Sequence, residues 1–84
     1  MEKEISSKEL IRFIEKITKL EPIYFIGVAR IMNITITGAN GEIRALEEIM
    51  SDVIDKFISY NRTQRKNLYK IIKQVCLIQS NPPN

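Results

Sequence analysis

Apolar residues recur at intervals of three and four along most of the chain, the spacing that lines one face of an α-helix. The first such run is Leu10, Phe13, Ile14, Ile17 and Leu20, with Lys8, Arg12, Glu15, Lys16 and Lys19 falling largely on the other side. Ser6 stands where an N-cap is needed and Glu9 lies three residues on, which predicts a capping box. Ile5 and Leu10 then occupy the two positions of a hydrophobic staple. Pro22 ends this helix, because the residue before a proline disfavours the α region, and it suits the first position of the next helix.

The second segment, Ile23 to Ala29, is apolar almost all round, which predicts a central, buried helix in which Gly27 and Ala29 admit a close neighbour. The pattern changes at Ile34-Thr35-Ile36-Thr37, whose β-branched alternation predicts a short extended piece. Gly38-Ala39-Asn40-Gly41 reads as a turn. A third helix is expected to start near Asn40 as N-cap, with Glu42 in its first turn, and to bury Ile43, Leu46, Met50, Val53, Phe57 and Tyr60. Thr63 is the expected cap of a fourth, whose apolar side is Leu68, Ile71, Ile72, Val75 and Ile78. Residues 79–84 read as a frayed tail, as do residues 1–5.

The resulting expectation is one all-α domain over residues 1–84. It is a compact cluster of about four short helices, roughly antiparallel, with a short extended connection between the second and third. An apolar fraction of 44% over 84 residues allows one modest core. No apolar run is long enough for a transmembrane helix, and Met1-Glu2-Lys3-Glu4 lacks the features of a secretory signal. The single cysteine, Cys76, has no partner for an intramolecular disulfide, so a cytoplasmic location and no membrane partner are expected.

The same composition narrows the chemistry. With no histidine and one cysteine, the chain lacks the ligands of a structural zinc site and the histidine of common acid–base and nucleophile-activating pairs. We therefore expect no catalytic residues, no metal and no cofactor: a binding protein, not an enzyme. Glu48, Asp52 and Asp55 share a helix face on which a magnesium ion could sit, although such a row is usually solvated.

Charge is unevenly distributed. Between Lys56 and Cys76 lie six of the thirteen bases and none of the ten acids, leaving seven bases against ten acids elsewhere. A basic end on an otherwise mildly acidic chain points to an anionic partner. Arg62, Arg65, Lys66, Lys70 and Lys73 are the candidate contacts, with Tyr69 beside them as a flat contact face. Arg65 and Lys66 would fall in the first turn of the fourth helix, where orphan N–H groups already favour an anion. The competing explanation is a solvated stripe, or one that faces the acids of the third helix. Residues beyond the main apolar stripes, among them Ile11, Tyr24, Phe25, Ile49, Ile54, Ile58 and Leu77, either widen the core or leave an apolar partner surface, with Tyr24 and Phe25 its candidates.

Two local patterns resemble known nucleic-acid motifs. Gly38-Ala39-Asn40-Gly41 followed by Glu42 to Leu46 looks like the GxxG loop and next helix of a KH domain, which clamps a nucleic-acid backbone. Ala39 and Asn40 stand where that family carries basic residues, and a plain turn with an N-cap explains the same glycines. Phe25 to Ile43 can also be laid on a helix-turn-helix template, with Ala29 at the small position and Asn33 at the usual glycine, or read as a helical hairpin with an irregular connection.

The blocks Leu20 to Arg30 and Tyr60 to Leu68 resemble small accessory proteins of phages and mobile elements of low-GC Gram-positive bacteria. That resemblance implies a binder of a host protein or nucleoprotein complex, such as an anti-CRISPR-like inhibitor, or a modulator of replication or transcription. Bacteriocin immunity proteins are similar in size and helical content alone. The leading expectation is a module whose basic fourth helix docks on an anionic macromolecular surface. The alternatives are a DNA- or RNA-binding regulator and a self-associating helical protein, for instance a homodimer.

Overall fold

A computed structural model describes residues 5–81. It consists of α1 (Ser7–Thr18), α2 (Pro22–Ile31), α3 (Leu46–Ser59) and α4 (Arg62–Ser80). The all-α cluster expected from the hydrophobic pattern is therefore what the chain forms. Residues 1–4 and 82–84, parts of the two expected tails, lie outside the described residues. The rest of the expected C-terminal tail is ordered differently, because Gln79 and Ser80 belong to α4.

The first helix starts as its sequence demands. The Glu9 N–H donates to Ser6 Oγ at 3.1 Å, and Ile5 and Leu10 both pack against the core. The capping box is only half formed, since the Glu9 carboxylate reaches Arg65 instead. Pro22 takes the first turn of α2. That helix ends in a Schellman motif: the Asn33 N–H donates to Arg30 O at 2.9 Å and the Ile34 N–H to Ala29 O at 3.0 Å. Asn33 supplies the left-handed residue such a motif requires, with φ of 63°. This is the glycine position of the helix-turn-helix template, but no helix follows within that template's reach, because α3 begins only at Leu46.

The late start of α3 corrects the expectation of a helix from Asn40. The Gly38 N–H donates to Glu42 O at 2.7 Å and the Arg44 N–H to Ile36 O at 2.8 Å, pairing Thr37 with Ile43 in a single antiparallel bridge. The turn between them closes through the Gly41 N–H and Gly38 O at 3.0 Å, and Gly41 sits at φ of 81°, where glycine is free of strain. The GxxG sequence is therefore a hairpin turn and not a helix-capping loop. Ile43, expected in the core, is 66% exposed. Ile36 is buried, so the alternating Ile-Thr segment does face inward on one side, as its period predicts.

One core unites the elements. Phe13 and Ile17 of α1, Phe25, Val28 and Ala29 of α2, Ile49, Val53 and Phe57 of α3, and Leu68 and Ile72 of α4 are buried together. Phe13 stacks on Phe57 with ring centroids 3.8 Å apart, and Tyr69 meets Phe57 edge-on at 5.8 Å. In α3, Val53 and Phe57 are buried as expected, while Ile49 takes the core place expected of Leu46 and Met50, Leu46 being exposed and Met50 only partly buried. The second helix is not enclosed: Ile23 is 74% exposed and Ile31 is also exposed. Its Gly27 has no neighbour where a Cβ would point, so the close approach expected there does not occur.

Two contacts and a shared groove show how α1 lies on α4. Glu9 meets Arg65, Lys16 shares a groove with Tyr69 and Lys73, and Lys19 O accepts from Gln79 Nε2 at 3.1 Å. The positions rise together along both helices, so this pair runs parallel, whereas α2 runs back along α4 from Gln79 toward Gln64. Gln79 also accepts from the Glu21 N–H at 2.8 Å, so one side-chain amide holds the corner between α1 and α2.

Candidate anionic-partner surface

The fourth helix is longer than expected and starts earlier. Asn61, and not Thr63, is its cap. The Gln64 N–H donates to Asn61 Oδ1 at 2.8 Å, and the Asn61 N–H donates to Gln64 Oε1 at 2.9 Å, a complete capping box. Two donors at this helix end are thus used internally. The anion site expected from orphan N–H groups with Arg65 and Lys66 does not form in that arrangement.

Arg65 departs most from expectation. Counting from Asn61, it lies beyond the first turn and on the inward face, only 8% exposed. Its Nε donates to Glu9 Oε2 at 3.0 Å, and a terminal nitrogen donates to Tyr60 O at 2.6 Å. One guanidinium therefore joins α1, the α3–α4 corner and α4. Two of its five N–H donors are bonded inside the fold and the side chain is almost wholly buried, so Arg65 is a structural cation and not a displayed contact.

The other expected bases stay on the surface. Arg62, Lys66, Lys70 and Lys73 are all exposed. At 100° per residue they fall on one side of α4. Among the described residues, the ion pairs are those of Arg65 with Glu9 and of Arg44 with Glu48 and Asp52. The acids of α3 do not neutralise the stripe, because Arg44 takes two of them: it lies 2.9 Å from Asp52 and 3.6 Å from Glu48, and donates to Thr35 O. Two of the three carboxylates in the row considered for magnesium, Glu48 and Asp52, are thereby engaged with Arg44 of the hairpin.

The sequence pattern alone misses the contribution of α1. Lys16 lines a groove of about 430 Å³ with Tyr69, Ile72, Lys73 and Cys76. Arg12 lies close enough to influence the Tyr69 phenol. The basic side of α1 thus adjoins that of α4, joining two charge groups more than forty-five residues apart in sequence. The signal was present in the lysines and arginine opposite the α1 core stripe, but only the parallel α1–α4 packing shows which face they join.

Tyr69 is half-buried and offers less of a contact face than expected. Its hydroxyl is enclosed and has no hydrogen-bond partner among the described residues. Burial, and then the Glu9 carboxylate, push the phenol above its ordinary pKa, while Arg12 and Arg65 oppose them. The expected apolar surface at Tyr24 and Phe25 is corrected in the same way. Phe25 belongs to the core and Tyr24 packs partly against it.

No helix among the described residues is long and apolar enough to cross a membrane. Comparison with protein-family models, curated proteins and solved structures finds no match to this chain.

Proposed function

We propose that the chain is a small, non-enzymatic, cytoplasmic binding protein that docks on an anionic macromolecular surface through the exposed basic side of α4. Arg62, Lys66, Lys70 and Lys73 supply the charge, and Arg12 and Lys16 of α1 extend it. The observation that carries this reading is the division of labour along α4. The one base the fold needs, Arg65, is buried and paired, while the four others share an exposed side with no acid on their helix. Cations in the first turn of a helix are slightly unfavourable for the helix itself, so local stability does not account for Arg62, the first residue of α4. The phage-accessory resemblance makes a host protein or nucleoprotein complex the partner in this reading. No set of side chains on α4 is organised to read base edges, which favours a protein surface over direct duplex recognition.

Affinity capture from a bacterial lysate, with and without nuclease, tests the proposal. The comparison is between the wild type and the Lys66→Glu/Lys70→Glu/Lys73→Glu variant, with Arg65 left in place to preserve the fold. A specific protein retained after nuclease and reduced about tenfold or more by charge reversal is the expected result. Recovery that vanishes with nuclease makes nucleic acid the partner. Equal recovery by both forms contradicts docking through α4.

A further inference from the structure

The groove between α1 and α4 is not a uniformly charged surface. Its floor is Ile72, Cys76 and part of the Tyr69 ring, and a lysine stands on each helix beside it, Lys16 on α1 and Lys73 on α4. Among the described residues, no carboxylate lines it. Ile72 is buried in the core and Cys76 is half-buried, so the floor is a fixed part of the packed structure. At about 430 Å³ the groove has room for a large side chain, since a cavity of about 150 Å³ already holds a benzene ring.

Taking the docking role of the basic side as given, we infer that this groove receives one apolar side chain of an acidic amphipathic peptide segment on the partner. The floor supplies the apolar contact, and Lys16 and Lys73 meet carboxylates flanking the anchor. This is the helix-in-groove mode of recognition with a cationic rim. Charge complementarity selects the acidic segment, and the apolar floor selects protein over nucleic acid. A phosphodiester chain would find no polar donor on that floor, because the Tyr69 hydroxyl is enclosed. A base would find only part of the Tyr69 ring to stack on, the remainder being taken up against Phe57.

Solution NMR of the intact chain, isotope-labelled and titrated with three probes, tests this inference. The probes are a short helical Glu/Ala peptide carrying one Phe, the same peptide with that Phe replaced by Ala, and a single strand of poly-dT. The Phe peptide is expected to shift the Tyr69, Ile72 and Cys76 signals and to bind about tenfold or more tightly than its Ala counterpart. The Lys16→Glu/Lys73→Glu variant, altered only at exposed positions, is expected to lose that binding. Equal affinity for the Phe and Ala peptides, perturbation centred away from the groove, or no peptide binding overturns the inference. So does tighter binding of poly-dT that displaces the peptide. Each of these outcomes leaves the docking role of α4 to be judged by whether a polyanion still depends on Lys66 and Lys70; loss of that dependence as well removes both.

Discussion

Arg65 and Tyr69 show how one turn of helix can carry opposite roles. Arg65 lies in an acid-free basic stretch and looks, by sequence, like its neighbours. Only the arrival of Glu9 from α1 and of Tyr60 O from the α3–α4 corner turns it inward. Removing one member of a buried pair strands the other, at a cost of about 3–5 kcal/mol when both are fully buried. Glu9 keeps 30% of its side chain exposed, so Arg65→Ala is expected to cost about 1–3 kcal/mol by chemical denaturation, after discounting for solvent. A variant as stable as the wild type contradicts this role. Tyr69→Phe removes an enclosed, unpartnered hydroxyl and should leave stability unchanged or raise it by up to about 1 kcal/mol. The same substitution has a pH signature. The folded chain holds the Tyr69 proton more tightly than the unfolded chain. Its contribution is therefore complete below the unfolded phenol's pKa of 10.0 and lost as pH rises through the higher folded value. Stability measured against pH above 10.0 should fall less steeply in Tyr69→Phe than in the wild type.

At the scale of elements, the helices with strong local signals were legible and the connection was not. Ser6, Pro22 and the apolar periods of α1 and α4 located their elements because those signals act within a few residues. Helix α3 was misplaced at its start because Asn40, Gly41 and Glu42 make an acceptable helix entry by themselves. The hairpin bonds between Ile36 and Arg44, and the reach of Arg44 to Asp52, override that local preference. The true cap of α4 was one turn of logic away: Asn61 with Gln64 is as good a capping box as Ser6 with Glu9, and it is the one that closes completely. Asn61→Ala should therefore lower stability by about 1 kcal/mol, whereas Thr63→Ala should change it little. The reverse order in thermal melts would restore Thr63 as the cap.

Over the whole molecule, the charge asymmetry visible in the sequence acquires a location. The chain is thin, with principal extents of 40 × 35 × 18 Å, so each helix has a broad exposed side. Packing α1 parallel to α4 places Arg12 and Lys16 next to the α4 stripe. Composition could not reveal that pairing, because it depends on contacts between residues separated by most of the chain. The same packing withdraws Arg65 from the surface. The bases of α4 thus divide into one buried, paired arginine and an exposed basic stripe, for which docking is proposed. The most direct test is to measure stability and partner capture in parallel for Arg65→Ala and for Lys66→Glu/Lys70→Glu/Lys73→Glu. The account predicts that the first variant loses stability, while the second folds as well as the wild type and loses the partner. Undiminished capture by a folded triple variant would contradict it.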